Sequence, residues 1–202
     1  MRVGLFGGSF DPIHRGHVAA ARAALAELGL DRVLFVTTAA PPHKPGHRFA
    51  PALARYAMVE LALLDDDDLQ ASPLELEGAR PAFTVDTVER LRRERPDDEL
   101  VLLIGGDSLA RLETWHRWQD LVGAVELGVL ARPGWERERI EPTFGPELAR
   151  GIGRARTSWV SSVADPASAS EIRRRLAAGE PLPAGWLDGR VLRFAAKYSL
   201  YR

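Results

Sequence analysis

Cysteine is absent from the 202 residues, which excludes disulfides, thiolate catalysis and cysteine-based zinc sites. Lysine is almost absent: only Lys44 and Lys197 occur, the remaining positive charge is arginine, and a lysine inside a loop stands out on that background. There is no basic excess. Lys+Arg total 27 against 28 Asp+Glu, a formal charge of −1, which argues against a chain that coats DNA or RNA. No apolar run approaches the roughly 18–20 residues a membrane-spanning helix needs. The apolar part of Met1-Arg2-Val3-Gly4-Leu5-Phe6 is too short for a signal peptide. These absences leave a soluble cytoplasmic protein, without nucleic-acid or membrane partners, as the default expectation.

What is present is a globular composition, 46% apolar and 27% charged. Arg2–Phe6 reads as a buried strand stopped by Gly7-Gly8. From His17 the apolar residues Val18, Ala21, Leu25 and Leu28 recur at helical spacing ahead of Gly29, and Val33–Thr37 is a β-branched strand. The chain therefore opens as a βαβ unit. A long proline-rich loop, 39–51, leads to a helical stripe of Leu53, Ala57, Leu61 and Leu64. Leu69–Leu76 reads as a strand interrupted at Pro73, near an edge. Thr84 is placed to cap a helix carrying Val85, Val88 and Leu91. Leu100–Ile104, Val125–Leu130 and Trp159–Val163 are further strands, and Ser170–Ala178 and Arg190–Tyr198 further helices. The expected fold is α/β, a doubly wound Rossmann-like parallel sheet in a single domain 1–202, with an α/β core at 1–163 and a helical part at 164–202. The acidic run Asp65–Asp68 reads as surface.

In such sheets ligands bind beyond the carboxyl ends of the strands, and Gly7-Gly8-Ser9-Phe10-Asp11-Pro12-Ile13-His14-Arg15-Gly16-His17 lies there. Glycines let backbone approach an anion, a helix start offers N–H groups, and His14 and His17, three apart, share a face. Paired imidazoles at a helix N-terminus suit a polyphosphate, whose charge favours their protonated form. Other chemistries lack their signatures. There is no G-x-x-x-x-G-K-[ST], no G-x-G-x-x-G and no H-E-x-x-H, and Asp11 stands where a nucleophile elbow requires glycine.

The G-G-S-F-D-P-I-H-x-G-H run resembles the nucleotidyltransferase signature, and its surroundings resemble bacterial nicotinate mononucleotide adenylyltransferases over nearly the whole chain. Pro41-Pro42-His43-Lys44 matches a P-P-H-K loop, and Arg55 with Met58 an R-x-x-M helix opening. Phe83-Thr84-Val85-Asp86-Thr87 matches an aromatic-T-x-D-T helix start. Gly105-Gly106-Asp107-Ser108 followed by Trp115, then Arg132-Pro133-Gly134 and Leu200-Tyr201, complete the ordered set. One motif departs: where the family carries I-S-S-T-x-I-R, this chain reads Ala167-Ser168-Ala169-Ser170-Glu171-Ile172-Arg173, which puts Ala169 in doubt as a contact.

The resemblance implies adenylyl transfer from ATP to nicotinate mononucleotide, giving deamido-NAD and pyrophosphate in NAD biosynthesis, with Mg²⁺ carried on the ATP phosphates and not in a protein metal site. His14, His17 and Arg173 are the expected catalytic residues. Gly7, Gly8, Ser9, Phe10, Gly16, Gly105, Asp107, Arg132, Ser168 and Ser170 are expected at ATP, and Lys44, Thr84, Trp115 and His116 at the mononucleotide. Two of these keep a second reading: Asp107 as a helix cap, and Lys44 as a solvated lysine. Trp118 is expected in the core. Three rivals are a different adenylyltransferase on the same scaffold (the phosphopantetheine enzyme), a nucleotide-binding regulator without turnover, and a metal-dependent hydrolase built on the histidines. A homo-oligomer stays open.

Overall fold

The computed structural model describes residues 1–39, 49–77, 83–161 and 165–202. Six strands are present in chain order: β1 (Arg2–Gly8), β2 (Arg32–Thr37), β3 (Leu69–Ser72), β4 (Glu99–Gly105), β5 (Glu126–Leu130) and β6 (Thr157–Val160). They form one sheet in the order β3-β2-β1-β4-β5-β6, and every neighbouring pair is parallel. The chain winds outward from β1 to β3, then returns to lay β4 on the other side of β1. The switch point therefore falls between β1 and β4, and it opens a crevice at their carboxyl ends.

The helices are α1 (Arg15–Glu27), α2 (Ala52–Ala62), α3 (Thr84–Glu94), α4 (Gly106–Leu109), α5 (Trp118–Ala124), α6 (Arg137–Ile140), α7 (Pro146–Arg154), α8 (Ala169–Ala178) and α9 (Gly189–Lys197), with 3-10 turns at Leu112–Thr114 and Glu141–Thr143. Alternation along each strand divides the core into two layers. Phe6, Val33, Phe35, Val101 and Leu103 face α1, α2, α8 and α9 through Ala21, Met58, Ile172 and Val191. Val3, Leu5, Leu34, Leu100 and Leu102 face α3, α5 and α7 through Val88, Leu121 and Leu148. Trp118 is buried in this second layer, as expected. Among the described residues no helix is long and apolar enough to cross a membrane.

Several sequence expectations are corrected. The last strand begins and ends earlier than Trp159–Val163, at Thr157–Val160, and α1 begins at Arg15, ahead of His17. Of the expected stripe, Leu61 packs partly buried against the core. Leu53 and Leu64, the latter beyond the end of α2, are more than two-thirds exposed, and Arg55, Met58 and Val59 are the buried residues of α2. Periodicity misleads here because the buried stripe contains an arginine. β3 does end before Pro73 and does lie at the sheet edge. The acidic run is surface that pairs with arginines, Asp65 with Arg190 at 2.8 Å and Asp66 with Arg22 at 2.6 Å.

Candidate active site

A cleft of about 640 Å³ opens beyond the carboxyl ends of β1, β2 and β4. One half is built from the β1–α1 turn. Gly7, Gly8, Ser9, Phe10 and His17 line it, with Arg132 after β5, Gly105 at the end of β4 and Asp107 in α4. A Cβ on Gly8 would lie 2.9 Å from the Phe10 ring, so glycine there lets the turn close, whereas Gly7 borders open space. Phe10 is buried with a positive φ of 43°, a backbone conformation that favours glycine. Its ring packs edge-on against Phe6 at 5.7 Å and against His17 at 5.2 Å. Phe10 thus acts as an aromatic floor that fixes the imidazole.

His14 is the N-cap residue of α1 and is 8% exposed, with its ring stacked on that of His17 at 3.8 Å between centroids. His17 faces the cleft. Its Nδ1 accepts the His14 backbone N–H at 3.2 Å. A neutral imidazole that accepts at Nδ1 carries its proton at Nε2, so Nε2–H is the donor left for a ligand. Burial holds the His14 pKa down to about 4, with Arg132 adding to the effect and Asp165 opposing it. His17 is lowered well below the usual value by burial first, then by His14 and Arg132. Both rings are therefore neutral at pH 7 in the protein alone, and an anion that offsets Arg132 would raise them. Gly16 sits against His14, where a Cβ would come 3.2 Å from the ring.

The start of α1 offers fewer free amides than the sequence suggests. Arg15 N–H donates to the Trp186 carbonyl at 3.0 Å, and the His17 and Val18 N–H groups return to His14 O. The start of α8 is more open. Ser168 is its N-cap, with Oγ accepting Glu171 N–H at 3.3 Å, and the Ala169 and Ser170 amides have no partner among the described residues. Arg173 donates to the Asp11 carbonyl at 2.6 Å and to Ser170 Oγ at 3.4 Å. Ser168, Ser170 and Arg173 therefore lie beside the histidine turn but do not line the cleft, and neither do His14 and Gly16.

The second half is lined by Phe83, Thr84, Thr87 and Val88 of the α3 entry, by Trp115 and His116, and by Thr38 and Glu75. Thr84 is the first residue of α3, with Phe83 as N-cap, which corrects the capping role expected of it. The His116 ring stacks on Phe83 at 4.3 Å. Asp107 is likewise not a cap: it lies inside α4, whose N-cap is Gly105, and its carboxylate accepts Arg111 at 3.4 Å. Lys44 lies outside the described residues.

Sequence reasoning missed a buried network behind the first turn. Arg55, 1% exposed, donates from Nε to Ala50 O at 2.9 Å, from Nη1 to Ser9 O at 2.6 Å and from Nη2 to Ala39 O at 3.0 Å. Asp11, equally buried, accepts the Tyr201 hydroxyl at 2.7 Å and the Ala50 N–H at 3.2 Å on one oxygen. Arg55 and Tyr201 belong to motifs singled out in the sequence, but nothing in those motifs says that both converge on residues 9–11. Glu75, also a buried cleft residue, carries no motif signal.

Comparison with known proteins bears on the family and the fold. The profile of the cytidylyltransferase-like family matches residues 5–175. A protein of Solibacter usitatus named "Probable nicotinate-nucleotide adenylyltransferase" is 43% identical over 202 residues, covering 100% of both chains. One of the same name from Thermus thermophilus is 42% identical over 206 residues, again covering 100% of both. In three dimensions the chain resembles the Plasmodium falciparum nicotinic acid mononucleotide adenylyltransferase complexed with NaAD, with a TM-score of 0.78 over 99% of this chain and 97% of that one at 15% identity.

Proposed function

Since the chain belongs to the nicotinate-nucleotide adenylyltransferases within the cytidylyltransferase-like family, we propose that it transfers the adenylyl group of ATP to the 5′-phosphate of nicotinate mononucleotide, releasing pyrophosphate, as a cytoplasmic step of NAD biosynthesis. The observation that carries this reading is His17, backed by the His14 ring, opening onto a cleft with two chemically distinct halves.

The attacking atom is a phosphate oxygen that is already ionised at neutral pH, so no general base is required. What remains is alignment at the α-phosphorus and neutralisation of charge on the departing pyrophosphate. His17 Nε2–H faces the α-phosphate, and His14 fixes that ring from behind while its backbone N–H sets the tautomer. Arg132 supplies positive charge across the cleft, and the start of α8 with Arg173 grips the distal phosphates. Among the described residues no group of three or more His, Cys, Asp or Glu is placed to hold a metal. Mg²⁺ arriving on the ATP phosphates would add charge neutralisation there, and Asp107 could accept a hydrogen bond from a ribose.

The mononucleotide occupies the second half. The indole of Trp115 stacks on the pyridine ring, and the amide at the start of α3, at Thr84, which has no partner among the described residues, receives the nicotinate carboxylate. Stacking of this kind contributes about 1–3 kcal/mol. Trp115→Ala is therefore expected to raise KM for the mononucleotide about tenfold while KM for ATP changes less than twofold, measured by initial rates. Equal changes in both constants would make Trp115 a packing residue. The activity itself is tested by incubating the protein with ATP, Mg²⁺ and each mononucleotide in turn and weighing the products. Deamido-NAD with pyrophosphate is expected, and binding of ATP without product would favour the regulator.

A further inference from the structure

We propose that Tyr201 is a positioning residue for ATP: through Asp11, its hydroxyl sets where Arg173 stands beside the phosphate turn. The proposal rests on the reading of Arg173 as a grip on the distal phosphates.

The backbone reverses after α9 to bring Tyr201 to that turn. Ser199 and Tyr201 both take positive φ, 51° and 68°, a region that residues other than glycine enter at a cost. The Ser199 and Leu200 N–H groups donate back to the Ala196 and Ala195 carbonyls at 3.2 and 2.9 Å, which fastens the reversal to the last turn of the helix. The Tyr201 ring packs against the first core layer, and its hydroxyl donates to Asp11 Oδ1 at 2.7 Å. Burial first, and the Asp11 carboxylate next, push the hydroxyl pKa up, so it stays a donor at neutral pH.

Asp11 is the point where this segment and α8 meet. Oδ1 takes the Tyr201 hydroxyl and also the Ala50 N–H at 3.2 Å. Arg173 Nη1 donates to the Asp11 backbone carbonyl at 2.6 Å but stands 3.9 Å from Oδ2. A closed arginine–carboxylate pair draws in to about 2.7–2.9 Å. Arg173 is therefore held by the carbonyl and not closed onto the carboxylate. That distinction matters because Asp11 is only 1% exposed, where its charge is weakly screened and would compete with phosphate for the same guanidinium. The two donors on Oδ1 fix the carboxylate and share its charge. Phenylalanine would pack equally well at this position; what the hydroxyl adds is the bond to Asp11.

The test is steady-state kinetics of full-length Tyr201→Phe, Arg173→Ala and the double variant, with both substrates varied and melting temperature recorded. Tyr201→Phe is expected to raise KM for ATP about tenfold with KM for the mononucleotide within twofold. The double variant is expected to show a KM for ATP within twofold of Arg173→Ala alone, because the hydroxyl acts through that guanidinium. A lower melting temperature with neither KM changed, equal rises in both KM values, or effects that multiply in the double variant each overturn the proposal. Should the double variant not fold, Tyr201→Phe decides alone by its KM split. Arg173→Ala with an unchanged KM for ATP overturns the phosphate reading of Arg173 as well, and an unmutated protein that forms no deamido-NAD overturns the function, so the failures are told apart by which protein shows them.

Discussion

His17→Ala is expected to lower kcat by about 10²–10³-fold, the range seen when one donor aimed at developing charge is removed, while the melting temperature stays within a few degrees. The reason lies in how the ring is held. His17 Nδ1 is occupied by the His14 backbone N–H, the ring is fixed between Phe10 and the His14 imidazole, and Nε2–H alone is left for the ligand. A donor fixed this way is preorganised: it does not reorient as charge moves from the α-phosphorus toward the pyrophosphate. His17→Asn is expected to recover less than a tenth of the loss, because its shorter amide does not reach the same point. Parallel loss of KM and kcat with a collapse in melting temperature would instead make His17 a packing residue.

Arg55→Ala is expected to show the largest stability effect. One guanidinium joins three carbonyls from three segments, at Ser9, Ala39 and Ala50, and it lies near the buried Asp11 carboxylate. Truncation leaves these acceptors buried without their donor and removes one of the cations beside that carboxylate. The cost of breaking a buried pair in this way is about 3–5 kcal/mol. In a chain of this size that lowers the melting temperature by roughly 10 °C, which thermal unfolding measures directly. Arg55→Lys is expected to rescue only a fraction, since one ammonium group cannot span three carbonyls set apart by the guanidinium fork. A melting temperature within 2 °C of the unmutated protein would contradict the role.

The sheet is legible in the sequence because apolar runs ending in glycine, alternating with amphipathic helices, leave few alternatives to a parallel doubly wound fold. The phosphate half of the site is legible for the same reason: a strand-ending Gly7-Gly8 and the His14/His17 spacing place chemistry where such folds bind ligands. Short elements escape. α4, α6 and the 3-10 turns are too brief to show a period, and α7 goes unassigned despite its amphipathic pattern. The α2 stripe misleads because Arg55 occupies a core position that periodicity reserves for apolar residues. Glu75 and Asp11 cannot be read as partners of Thr87 and Tyr201, since contacts across 12 and 190 residues are set by strand order and not by local spacing. The neutrality of the histidines is equally hidden, because burial that depresses a pKa is a property of packing.

The stereochemical course at the α-phosphorus bears most directly on single-step transfer between two bound anions. With ATP made chiral at the α-phosphorus by a single sulfur, direct attack of the mononucleotide phosphate inverts the configuration in the dinucleotide product. Inversion is the expected result. Retention would require an adenylyl group parked on a side chain of the protein, and would contradict a cleft whose residues only align and neutralise.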